Sequence, residues 1–240
     1  STLLKLGAVM AIVSLGLNLI YGFNGQFSLG QFGFYAIGAY ASADITYRWT
    51  QLHTANGFVV LTMAVTLVGL VILLFSNLLG RIRGLDTLSS FGLYLIAVIA
   101  VSYAAIKLSL PLIAPVTSLL TSMPANMALN IVFFMAVITA GILTAEISYL
   151  FGMPVLTLGS DYFGIATLGF TIIVKVLLDN SDTMLGFEEM KGARGMVGIP
   201  KVTTWIWVAI AVLLVVAIVR NLLHSSHGRA LVSVREDEIA

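Results

Sequence analysis

Cysteine is absent from the 240 residues, which excludes disulfides, zinc thiolates and thiol redox chemistry together. Charge is scarce: Asp, Glu, Lys and Arg make up 10% of the chain, against roughly 25% in soluble domains. The net charge is only +1, so no nucleic-acid partner is expected. No Gly-x-x-x-x-Gly-Lys-Ser/Thr phosphate loop occurs, so any ATP that drives this protein is hydrolysed on another polypeptide. Histidines number three. His224 and His227 form an H-x-x-H pair without a carboxylate or thiol at ligand spacing, so no metal is expected. No nucleophile, base and acid can be assembled into a catalytic set, and no enzymatic role is expected.

Apolar residues make up 59% of the chain, and the mean hydropathy is +1.04. Lipid cannot satisfy exposed backbone amides, and no alternating barrel pattern appears, so the spanning elements must be helices. The expected fold is an all-α, polytopic transmembrane helical bundle forming one domain over residues 1–240. A span needs about 20 mostly apolar residues, which predicts about seven, near 6–22, 27–43, 57–79, 88–106, 128–151, 162–178 and 203–221. The stretch 110–122 is short and holds Pro111 and Pro115, so a re-entrant or interfacial piece is expected there. The run after Lys5 lacks a small-x-small cleavage site and reads as a span rather than a signal peptide. The chain begins without methionine and stops at Ala240 inside a charged segment. Both ends are therefore expected to be truncated.

Positive charge alone leaves the orientation tied: Arg81, Arg83, Arg220, Arg229 and Arg235 fall on one side, and Arg48, Lys107, Lys191, Arg194 and Lys201 on the other. Tyr47, Trp49, Trp205 and Trp207 are expected at a common interface. Two glycine-bearing segments stand out: Asn24, Gly25, Gln26, Phe27, Ser28, Leu29 and Gly30, leading to Gly33 and Gly38; and Gly159, Ser160 and Asp161, leading to Gly164 and Gly169. Each has Leu-Gly followed four residues later by Phe (Phe34 and Phe163). Glycine-interrupted segments in two halves of a transporter point to a translocation path. Close helix packing through small residues explains them equally well.

These segments, with Leu15–Gly22, Ile37–Tyr40, Asp161–Phe170, Gly195–Pro200, Gly228–Ala230 and Arg235–Ala240, resemble the LivM-like permeases of branched-chain amino acid ABC importers. The resemblance covers about half of the chain; the region 45–126 is longer than the family pattern and carries an extra helical pair. It implies a permease in the prokaryotic inner membrane that works by alternating access. It also implies as partners cytoplasmic ATPase subunits carrying ATP and Mg, a second homologous permease subunit and an extracytoplasmic substrate-binding protein. No cofactor is expected on this chain. Over 222–240 the resemblance implies a cytoplasmic ATPase-coupling segment, with Gly228 turning the chain. Ala230, Leu231 and Val234 would form an apolar ridge beside the charges of Arg229, Arg235, Glu236, Asp237 and Glu238. An apolar ridge with adjacent charges suits a groove, and the charges set register.

Ionisable residues inside spans are functional candidates. Glu146 is a candidate intramembrane acid, and it also fits a helix end near the inner headgroups or a bond within the bundle. Lys175 reads as a residue that snorkels to the outer interface. The polar loop 179–202 is the natural docking surface for a binding protein. The alternatives are an ATP-independent secondary transporter or channel for a small polar solute, an ABC permease for urea or amides, and a structural membrane protein. Composition does not separate leucine from other neutral cargo.

Overall fold

The computed structural model describes residues 2–79, 87–156, 160–184, 190 and 192–236. Among these residues the regular structure is helical throughout. Helix α1 covers Thr2–Asn18 and widens into a single π turn at Leu19–Phe23; α2 covers Gln31–Gln51, α3 Asn56–Leu79, α4 Thr87–Thr121, α5 Ala125–Val155 and α6 Ser160–Asp179. Short α7 (Ser181–Met184) is followed by α8 (Trp205–His224) and α9 (Ser226–Glu236).

Among the described residues six helices are long and apolar enough to cross a bilayer: α1 with its π turn, α3, α4, α5, α6 and α8. The expected span at 27–43 is the difference. Its first residues are non-helical, and α2 carries Asp44 and Arg48 within its length. These two form an i,i+4 ion pair, with Arg48 Nε 2.9 Å from Asp44 Oδ2, so neither side chain presents an uncompensated charge. Outward-facing leucines and isoleucines are common, among them Leu213 and Ile206, each 70% exposed in this chain. Such faces are normal where lipid replaces water.

The expected re-entrant piece at 110–122 is instead the last part of α4, which runs unbroken for 35 residues with Pro111 and Pro115 inside it. Hydroxyls bond the surrounding backbone: Ser109 donates to the Ile106 carbonyl, Thr117 to Ile113 and Ser118 to Pro115. Tertiary contacts hold the same stretch. The Ala55 N–H at the head of α3 donates to Thr117 Oγ1 at 3.1 Å, and Leu120 joins a core of Ile45, Ala55, Val59, Val132 and Ala136.

The chain divides into two compact units. One comprises Ser1–Tyr35, Leu158–Ile173 and Thr203–Ala240. In it α1 packs on α8, and Lys5 Nζ donates to the Thr203 carbonyl at 2.6 Å. The other comprises Ala36–Thr157 and Val174–Val202. There α3, α4 and α5 pack on one another, and the 195–200 segment lies along α2, with Gln51 Nε2 donating to the Gly198 carbonyl at 3.1 Å.

Candidate functional site

Apart from Gly38, which belongs to the second unit, both glycine-bearing segments fall in the first unit, and the structure brings their described parts together. The first helix ends in the π turn, where the Asn24 N–H reaches back to the Leu19 carbonyl. Single π turns inside membrane and soluble helices often mark functional positions. Gly25 then takes φ +77°, a conformation that costs a side chain about 1–2 kcal/mol. Residues 25–30 carry no helix, and α2 starts at Gln31, its first turn closed by Gly33 and Phe34 N–H groups on the Gly30 carbonyl.

A non-helical stretch beside lipid must find partners for its backbone. Here α6 supplies them for Leu29. The Leu29 N–H donates to Thr167 Oγ1 at 3.0 Å, and Thr171 Oγ1 donates to the Leu29 carbonyl at 2.8 Å. Thr167, only 2% exposed, also donates to the Gly164 carbonyl at 3.0 Å. The glycines make this approach possible. A Cβ on Gly164 would stand 2.8 Å from Phe27 Cδ1, and one on Gly30 3.3 Å from Thr167 Cβ. One on Gly33 would stand 3.2 Å from the Thr171 Cα. Phe34 and Phe170 close the contact with ring centroids 4.5 Å apart. Ser28 is buried and its hydroxyl accepts from the Gly30 N–H at 3.4 Å.

The remaining path candidates divide. Asn24 and Gln26 are half-buried, and Gly25 is exposed. Gly169 has no neighbouring atom where a Cβ would stand, so close packing does not explain that glycine. Gly159 and the Asp161 side chain lie outside the described residues. Thr167 and Thr171 were not singled out by sequence reasoning. The signal available was an i,i+4 hydroxyl pair on the glycine-bearing helix, uninformative until its partner strand is known.

The stretch expected to couple to an ATPase includes the end of α8 and then α9, in the same unit. The chain turns at Ser225, not at Gly228 as expected. Ser225 is extended, with ψ 171°, and its Oγ accepts the Gly228 N–H at 3.2 Å, the N-capping arrangement. Gly228 is buried in the first turn, with the Leu222 carbonyl and Leu223 Cα against it. It is needed for close approach rather than for the turn. Arg229 donates to the His224 carbonyl at 3.3 Å. Leu231 is half-buried within the chain, and Val232 is 39% exposed. Arg235 turns back onto its own chain: Nη1 donates to the Gly22 carbonyl at 3.0 Å, and its Cγ would be 2.8 Å from a Cβ on Gly25. The side chains of Val234 and Glu236, and residues Asp237 and Glu238, lie outside the described residues. His224 Nδ1 is 2.8 Å from the Arg220 carbonyl, a bond within its own helix.

Glu146 belongs to the other unit. It is 8% exposed, and its Oε1 has no hydrogen-bond partner. It does not end its helix, since α5 continues to Val155. It faces α3, where a Cβ on Gly69 would stand 2.9 Å from Oε1. Lys175 is exposed. The same unit holds a cavity of about 330 Å³ lined by Trp49, His53, Leu120 and Met123 among others.

Comparison with known proteins gives a consistent picture. The family model described as branched-chain amino acid transport system / permease component matches residues 1–111 and 84–240. The high-affinity branched-chain amino acid transport system permease protein LivM of Escherichia coli (strain K12) is 34% identical over 130 residues, 42% of this chain and 31% of that protein. The LivM protein of Salmonella typhimurium is 33% identical over 135 residues, with the same shares. The chain thus spans about a third of the length of these curated relatives. No solved structure matches.

Proposed function

We propose that this chain, which belongs to the family of branched-chain amino acid transport permease components, is the membrane-spanning permease subunit of an ATP-driven importer in a prokaryotic plasma membrane. Branched-chain amino acids are the proposed cargo, following the transport named for the LivM relatives. ATP and Mg would sit on cytoplasmic ATPase subunits, and a second permease subunit would complete the path. An extracytoplasmic binding protein would deliver the substrate. The helices would rock in alternating access as the ATPases close and open.

The observation that carries this reading is the placement of α9. A short helix with an exposed apolar residue follows α8 directly, and it sits against the break between α1 and α2. Val232 is the better probe of docking, because Leu231 is already half-buried within the chain. Putting Asp at Val232 places a carboxylate in an apolar contact, a penalty of about 3 kcal/mol, or roughly a hundredfold in affinity. The Val232→Asp protein should insert normally, lose its copurifying ATPase and lose uptake. A variant that keeps both would refute the assignment of α9.

An ATP-independent transporter is favoured by one observation, the buried Glu146 carboxyl whose Oε1 has no hydrogen-bond partner, since proton relays use such groups. Reconstituted vesicles separate the two readings. Uptake driven by ATP without an imposed proton gradient supports the importer, and uptake driven by the gradient without nucleotide supports the alternative.

A further inference from the structure

We propose that residues 22–29 form a strap that carries displacement of α9 into the middle of α6, with Arg235 and Thr171 as its two fastenings. This deepens the importer reading and rests on it. At one end, the Arg235 guanidinium holds the Gly22 carbonyl at 3.0 Å. The α9 backbone itself lies close, since a Cβ on Gly25 would be 3.5 Å from the Arg235 Cα. At the other end, Leu29 is gripped on both its backbone groups, by Thr167 Oγ1 and Thr171 Oγ1. Those threonines lie seven and eleven residues beyond Ser160, about 10 and 16 Å along α6. The strap therefore starts at the coupling helix and ends near the midpoint of a spanning helix.

The intervening residues suit this task. A helix there would be stiff but would have its own backbone bonds saturated, leaving nothing for α6 to grip. An extended backbone presents its N–H and C=O groups sideways, and five residues from Gly25 to Leu29 can cover up to about 17 Å. Gly164 and Gly30 let the strap lie against α6, so α6 cannot shift without it. Phe27 packs edge-on against Tyr21 at 5.9 Å, which ties the strap's middle to the π turn. Motion of α9 reaches α6 through fastenings in series, so loosening either end limits what the other can pass on.

The test uses the complete transporter, with its ATPases and binding protein, reconstituted in liposomes. The readout is substrate imported per ATP hydrolysed, taken on complexes that retain both ATPases. Arg235→Gln and Thr171→Val should each lower this ratio by about three- to tenfold, the worth of one lost hydrogen bond. Thr171→Ser keeps the hydroxyl and should restore it. The double variant should be no worse than the poorer single variant, because the fastenings act in series. A double variant whose loss equals the product of the two single losses overturns the strap, as does an unchanged ratio in both singles. Wild-type import that needs no nucleotide would instead overturn the importer reading itself, so the two failures are distinguishable.

Discussion

Two glycine-to-alanine changes, chemically identical and both within helices, should part company at Gly33 and Gly169. Gly33 lies in the first turn of α2, buried, where a Cβ would meet Phe170 ring carbons at 3.1 and 3.2 Å and the Thr171 Cα at 3.2 Å. The ring is already packed on Phe34, and the Thr171 backbone belongs to α6, so neither can yield freely. Gly169 lies on α6 with nothing within 4 Å of that position. Alanine is favoured over glycine inside a helix by about 0.8–1 kcal/mol, and that gain is common to both variants. The difference between them is therefore the overpacking penalty at Gly33, about 1–3 kcal/mol. Melting of the detergent-solubilised protein, followed by the fraction surviving size-exclusion chromatography after heating, reads this difference directly. Gly169→Ala should melt at or above the parent temperature and Gly33→Ala below it. If Gly169→Ala is as destabilised as Gly33→Ala, α2 and α6 do not converge at Gly33.

Further outcomes follow from other parts of the chain. Glu146→Gln removes a buried carboxyl whose Oε1 has no partner and should leave membrane insertion intact, with a melting temperature no lower than the parent's. Gly69→Ala gains helix propensity and places a methyl 2.9 Å from Oε1, the movable end of a flexible side chain, so its melting temperature should stay near the parent's; a large loss that Glu146→Ala does not relieve contradicts the α3–α5 contact. Single cysteines at Asn180 and Ser226, both exposed, should be labelled from opposite sides of the membrane, the second from the cytoplasm. Ser181 is unsuitable as a probe because it is fully buried. The absence of native cysteine leaves the label no other target, and labelling from one side would eliminate α8 as a span.

Particular elements show where reading along the chain succeeded. The long apolar runs of α3, α5 and α8 were legible because a bilayer imposes one length and one solvent on every span. The ion pair in α2 was missed because charges were weighed singly, whereas Asp44 and Arg48 neutralise each other one helical turn apart. Pro111 and Pro115 read as breakers because proline disfavours helix locally; the core around Leu120 and the Thr117 bond to Ala55 outweigh that preference. Gly228 was read as the turn because glycine often is one, while the cap at Ser225 performs it.

What the sequence by itself determined was the solvent, the class of spanning element, and, through the order of its motifs, the family. These follow from composition and local pattern, which lipid reads residue by residue. The tertiary structure alone decided which groups meet. Thr167 and Thr171 grip Leu29 across 138 and 142 residues of chain, and Arg235 reaches Gly22 across 213. Glycines 30, 33 and 164 have their meaning only from the atoms facing them. A hydrogen bond or a close approach depends on both partners at once, and no periodicity along one strand of sequence encodes where the other partner will stand.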